Sequence, residues 1–340
     1  MIAEIKDGIN FLSKLSFRKV FNYAQLVFSY IRSQKRGVSM HKGMPFSLAI
    51  EPTTSCNLRC PECPSGLRSF TRPTGMLQDT IYHKLINDVE KTLAYLTLYF
   101  QGEPFLHTGF LELVKYASQR KIYTSTSTNG HYLSDENARK TVESGLDRLI
   151  ISIDGTTQET YESYRVGGKL DKVLEGTRNI VKWKTELKSS KPYLIFQFLV
   201  VKPNEHQIEQ VKILARELGV DKVLFKTAQI YDYENGSDLI PTIPQYARYT
   251  KGKDGKFVIK NSLENNCWKM WHSCVLTWDG KIVPCCFDKD AKYVLGDINK
   301  QSFTEAWQGD AYTDFRKSLL KSRDQIEICK NCSEGTTVWA

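Results

Sequence analysis

The chain has 340 residues, 41% hydrophobic and 25% charged, which suits two or three globular domains and excludes a wholly disordered protein. Lys and Arg number 47 against 38 Asp and Glu, a net charge of +9 that favours anionic partners without choosing among them. Met1–Asp7 lack the basic and apolar regions of a signal peptide, and no run is apolar enough to span a bilayer, so a cytoplasmic protein is expected.

Residues 1–45 read as an N-terminal amphipathic helical extension. Between 5 and 33 an apolar stripe (Ile5, Phe11, Leu12, Leu15, Val20, Phe21, Leu26, Val27, Tyr30, Ile31) runs beside Lys6, Lys14, Arg18, Lys19, Arg32, Lys35 and Arg36. Such a helix packs against the main domain or lies peripherally on anionic lipid at the inner face of the membrane. From 46 to 230, strands alternate with helices. Strands are predicted at Phe46–Pro52, Leu96–Phe100, Tyr123–Thr128, Leu149–Ile153, Tyr193–Val201 and Lys222–Thr227. Helices are predicted near 109–120, 135–145, 158–187 and 206–218. That order implies parallel βαβ units, hence an α/β fold: a partial (β/α)6 TIM-like barrel with its active site at the C-terminal strand ends. Residues 231–262 dissolve into a connecting loop region. Residues 263–340 hold six of the nine cysteines and only short strand-like runs, a small Cys-rich C-terminal domain that needs metal to fold.

The nine cysteines are clustered, three at 56–63 and six after 266, with none between. Their odd number, without an export signal, argues against a disulfide framework, and their clustering reads as metal ligation. Cys56, Cys60 and Cys63 form C-x3-C-x2-C directly after the first strand. Three thiolates on one loop can hold three irons of a [4Fe–4S] cluster and leave the fourth iron open. A zinc site would want a fourth ligand close by. Cys267, Cys285, Cys329 and Cys332 supply four further thiolates, with Cys274 as the alternative to Cys267; a structural zinc site stays open for this set.

The first motif resembles that of the radical S-adenosylmethionine (radical SAM) superfamily, with Glu62 where the family usually has an aromatic residue. The resemblance implies that Gly102, Glu103 and Pro104 contact the SAM amino group. Ser127 and Asn129 end the third strand. Ser152 and Asp154 end the fourth, with Arg165 beyond, and Ser152 and Arg165 would hold the SAM carboxylate. It also implies reductive cleavage of SAM to a 5′-deoxyadenosyl radical, which abstracts hydrogen from substrate. The C-terminal set resembles SPASM/twitch domains, implying one auxiliary [4Fe–4S] cluster. Asp288, where related maturases carry a carboxylate, and Lys226, at the end of the sixth strand, are the acid/base candidates. The resulting expectation is an oxidoreductase acting on a small-molecule, sugar or lipid-linked substrate, with an electron donor such as flavodoxin or ferredoxin. The alternatives are a peptide or protein maturase of sulfatase-maturase or thioether-forming type, and an iron–sulfur electron carrier or zinc-binding scaffold. No nucleic acid is expected, because the aromatics do not interleave with a basic patch.

Overall fold

The computed structural model describes residues 2–333. Two helices, α1 (Ile2–Ser13) and α2 (Phe17–Arg36), precede the barrel. The barrel runs β1 (Ser47–Ile50), α3 (Pro64–Leu67), α4 (Asp79–Val89), β2 (Tyr95–Thr97), α5 (Phe110–Gln119), β3 (Tyr123–Thr128), α6 (Asp135–Glu143) and β4 (Arg148–Ser152). It continues through α7 (Gln158–Tyr164), α8 (Leu170–Glu186), β5 (Tyr193–Val200), α9 (Ile208–Glu217) and β6 (Lys222–Thr227). A hairpin follows, β7 (Tyr249–Lys251) with β8 (Phe257–Ile259). The chain then forms α10 (Lys269–His272), β9 (Ser273–Leu276), β10 (Lys281–Val283), β11 (Gly296–Asp297), α11 (Phe303–Gln308) and α12 (Asp310–Ser322).

Strands β1 to β6 are parallel neighbours in sequence order, as βαβ units require. The predicted partial barrel is therefore the observed one. Strand β9 then pairs parallel with β1, Ser47 opposite Ser273, and β10 and β11 follow antiparallel. The C-terminal segment thus continues the barrel sheet on the β1 side. The main core cluster runs along this nine-stranded sheet, from Leu48 and Ile50 through Phe196 and Phe198 to Trp271 and Trp307, and a smaller one with Leu58, Tyr164 and Val201 adjoins the cysteine loop.

Three features differ from the predicted elements. The helix expected near 158–187 is two, broken where Gly167 adopts φ +80° and Gly168 abuts the Tyr161 ring. The extension 5–33 is also two helices; Ser16 caps α2 by accepting from the Lys19 N–H. Finally, α4, α11, α12 and the β7–β8 hairpin occupy stretches where the sequence reading names no element. Tyr82, Leu85, Ile86 and Val89 at three- and four-residue spacing form the buried face of α4.

Helix α1 lies across the N-terminal ends of the barrel strands. Phe11 packs 5.5 Å from Tyr123 and 6.5 Å from Tyr95, the first residues of β3 and β2. Asp7 accepts from the Tyr123 hydroxyl and pairs with Arg148, and Lys14 pairs with the buried Asp147. These polar side chains dock the extension together with Phe11, Leu26 and Tyr30, while the rest of the apolar stripe stays outside.

Candidate active site

The loop after β1 carries the first cysteines, and its path is set by close backbone contacts. The Thr53 hydroxyl and Thr54 N–H both donate to the Gly75 carbonyl, each at 3.1 Å. Cys63 forms the N-cap of α3, its carbonyl accepting from the Leu67 N–H at 2.8 Å. Gly66 lies against Cys60 so closely that a Cβ would stand 2.6 Å from both its amide nitrogen and its carbonyl oxygen. The Arg59 N–H donates to Val166, tying the loop to the α7–α8 turn.

Cys56, Cys60 and Cys63 border one cavity of about 220 Å³ together with Gly102, Glu103, Ser127, Asn129, Ser152 and Arg165. All but Arg165, which comes from the end of α7, arrive at or just past C-terminal strand ends, where a barrel exposes chemistry. Glu103 is buried and accepts from the Thr128 hydroxyl and Asn129 N–H, both at 2.7 Å, and from the Phe105 N–H at 3.2 Å. Burial nevertheless pushes its pKa up to about 6. Pro104 opens the short turn that Glu103 caps. Asp154 is buried and accepts from Arg165 Nε at 2.5 Å and the Leu199 N–H at 2.7 Å. It therefore aims Arg165, whose Nη1 stands 3.9 Å from Cys60 Sγ. Asn129 Nδ2 stands 3.9 Å from Cys56 Sγ. Burial lifts the Cys56 thiol to about 11 and raises Cys60 despite Arg165, so metal binding must displace protons here. Glu62 accepts from the Tyr231 N–H at 3.0 Å and so tethers the loop after β6.

A second cavity, of about 590 Å³, fills the barrel interior and shares Tyr99 with the first. Cys267, Cys285 and Cys286 border it, with Lys226, Arg248, Lys269 and His272; no Asp or Glu is among its described lining residues. Of the predicted second set, Cys267 and Cys285 line this cavity and Cys329 and Cys332 do not. Burial and then Cys286 and Cys267 raise the Cys285 thiol. Burial opposes the charge of Arg323, while Cys267, Cys332 and Cys329 support it. Arg323 Nη2 lies 3.5 Å from Cys332 Sγ. Cys274 also borders the cavity, fully buried beside Tyr312, and burial raises its thiol. Lys269 Nζ lies 3.4 Å from Cys286 Sγ.

Of the acid/base candidates, Lys226 lines the interior cavity. Asp288 does not; it is buried and accepts from the Lys292 and Tyr293 N–H groups at 2.8 and 2.9 Å, closing its own loop. Sequence reasoning missed Arg323, Gly66 and the buried pair Arg72–Glu51, whose two Nη–Oε contacts measure 2.8 and 2.6 Å. Only Gly66 carries a local signal, two residues past Pro64 at the end of the cysteine motif.

Among the described residues no cysteine is in a disulfide, and no three His, Cys, Asp or Glu converge on a single-ion position. The donors are thiols bordering cavities, the ligand chemistry of iron–sulfur clusters, so the residues fit such groups.

Residues 50–190 match the Radical SAM superfamily, and residues 267–333 match SPASM, an iron–sulfur cluster-binding domain. The chain belongs to the radical SAM superfamily and is an enzyme of that class with a C-terminal SPASM domain. Its cofactors are accordingly a [4Fe–4S] cluster with SAM, and auxiliary iron–sulfur. The chain is 26% identical over 318 residues to the tungsten-containing aldehyde ferredoxin oxidoreductase cofactor-modifying protein of Pyrococcus furiosus, covering 84% of this chain and 86% of the relative. Its fold is similar to BtrN in complex with AdoMet and 2-DOIA (TM-score 0.52, 18% identity, 87% of this chain and 95% of the other). It is also similar to Streptococcus suis SuiB bound to precursor peptide SuiA (TM-score 0.61, 14% identity, 84% and 70%).

Proposed function

We propose that Cys56, Cys60 and Cys63 hold the SAM-binding [4Fe–4S] cluster and that Cys267, Cys285, Cys329 and Cys332 hold one auxiliary [4Fe–4S] cluster. The enzyme then oxidises a small-molecule, sugar or lipid-linked substrate at a membrane surface reached through residues 5–33, fed by flavodoxin or ferredoxin. When bound, the cluster and SAM supply a 5′-deoxyadenosyl radical for hydrogen abstraction. The observation that carries this reading is the convergence of three thiols with Glu103, Ser152 and Arg165 on one cavity at the strand ends. Glu103 presents a carboxylate to an amino group, while Ser152 and Arg165 present a hydroxyl and a guanidinium to a carboxylate. Asp154 positions Arg165. The interior cavity receives the substrate; its four basic side chains, with no carboxylate among the described lining residues, favour an anionic group such as phosphate. Lys226 stands there as the proton acceptor, and Asp288 acts by holding its loop.

The test is 5′-deoxyadenosine formation by anaerobically reconstituted, dithionite-reduced protein, with lipid and aqueous fractions of host extract added separately. Wild type is expected to form it, and Cys60→Ala none while keeping its auxiliary iron. No product from iron-loaded wild type overturns the chemistry. Stimulation by the lipid fraction supports a lipid-linked substrate. Stimulation by the aqueous fraction alone replaces it with a soluble metabolite or a peptide, as in the SuiB–SuiA complex.

A further inference from the structure

Helix α2 is built inside out. The side it turns to the protein carries Lys19, Asn22, Ser29 and Ser33 around Leu26, with Tyr23 and Tyr30 packed against Phe46 and Trp268 beside them. Each polar group there has a partner: Lys19 Nζ on the Lys121 carbonyl at 2.6 Å, Asn22 on the Met44 backbone at 2.8 Å, Ser33 Oγ on the Met40 N–H at 2.9 Å. The opposite side carries Phe17, Phe21 and Phe28 into solvent, 86, 55 and 68% exposed, with Val20 and Ile31 between them. Helix α1 is similar. Asp7 and Phe11 face the barrel, as does Lys14 just past its end, and Ile2, Ile5, Ile9 and Leu12 face out at three- and four-residue spacing. An ordinary surface helix does the reverse, and side chains of this size left outward on two successive helices mark a surface that is covered.

Charge identifies the cover. Between Asp7 and Glu51 there is no acidic residue but seven Lys and Arg. Two of them, Lys14 and Lys19, are used inside the protein. Arg18, Arg32, Lys35, Arg36 and Lys42 are exposed. A second copy of the chain would bring like charges together across this face. An anionic lipid surface matches both the aromatic stripe and its cationic rim. Neither helix is long and apolar enough to cross a bilayer, which leaves an in-plane position.

We infer that the outward face of α1 and α2 is an interfacial anchor for anionic membrane. This rests on the lipid-surface part of the proposed function and not on its radical chemistry. It also gives that surface a route to the substrate cavity: α2 sends Phe28 and Ile31 outward and Tyr30 inward, where Tyr30 lines the barrel interior 5.1 Å from Trp268. Membrane face and cavity wall are two sides of one helix.

The test is co-sedimentation of the full chain with vesicles of phosphatidylcholine alone and of phosphatidylcholine mixed with phosphatidylglycerol, without SAM or substrate. The wild type is expected to bind the mixed vesicles at least tenfold more tightly. The triple variant Phe17→Glu, Phe21→Glu, Phe28→Glu should lose binding to both while keeping iron content and 5′-deoxyadenosine formation. Arg32→Gln, Lys35→Gln, Arg36→Gln should lose about fivefold per cation on mixed vesicles only. Failure of the wild type to bind, or full binding by the Phe variant, overturns the anchor even if SAM cleavage is intact. So does a solution dimer, seen by light scattering, that the Phe variant splits into monomers.

Discussion

Glu103 shows how burial competes with hydrogen bonding at a single residue. Three donors would lower its pKa, yet desolvation wins and lifts it to about 6. Raised above its ordinary value, the carboxyl favours the fold in its protonated form, and that contribution is lost as pH rises through about 6. A bound ammonium needs the opposite, ionised form. Affinity for SAM is therefore expected to rise with pH through about 6 and then level off. Glu103→Gln should weaken SAM binding at least tenfold and flatten that dependence, as measured by titration calorimetry from pH 5 to 8. An unchanged pH profile in the variant would remove Glu103 from SAM recognition.

Among the elements, the turn after β2 and the break between α7 and α8 do the positioning. Gly102 sits at φ +75°, and a Cβ there would stand 2.2 Å from the Thr53 carbonyl. Gly102→Ala must move either the turn or the cysteine loop. We expect reconstituted iron to fall toward the auxiliary share alone, with far-ultraviolet circular dichroism unchanged. In the C-terminal segment, replacing Cys329 and Cys332 together by Ala should remove about half of the reconstituted iron, since two clusters of one type are proposed. Iron content that stays at the wild-type level in that variant would exclude the assignment. The α7–α8 break matters because it ends α7 at Arg165, which leaves helical geometry at φ −87°, ψ 59° with its guanidinium between Asp154 and Cys60.

At the scale of the molecule, Glu51 joins three segments distant in sequence. Its carboxylate takes two bonds from Arg72, beyond the cysteine loop, and one at 3.2 Å from the Trp278 N–H of the C-terminal segment. Arg72 also donates to the Lys289 carbonyl at 3.0 Å. Both partners are buried, so removing one charge strands the other. Glu51→Gln is expected to cost about 3–5 kcal/mol, read as a lowered thermal midpoint of the reconstituted enzyme. A shift no larger than that of a surface variant would show that the clamp contributes little.

Much of this was legible because it is local. Strand and helix periods, three cysteines at C-x3-C-x2-C and the small polar residues at strand ends all lie within short windows, so residue order alone determined the partial barrel and the first cysteine set. The second set was legible as composition, not as geometry: Arg323 at its centre stands 56 residues from Cys267 in the chain and carries no local mark. Tertiary structure alone decided that β9 joins β1, that Asp288 turns to its own loop while Lys226 faces the cavity, and which side of α2 faces out. The helical period separates a polar from an apolar face, but only the partners waiting for α2, the Lys121 carbonyl on the barrel and the Met44 carbonyl in the linker before β1, determine which face is buried.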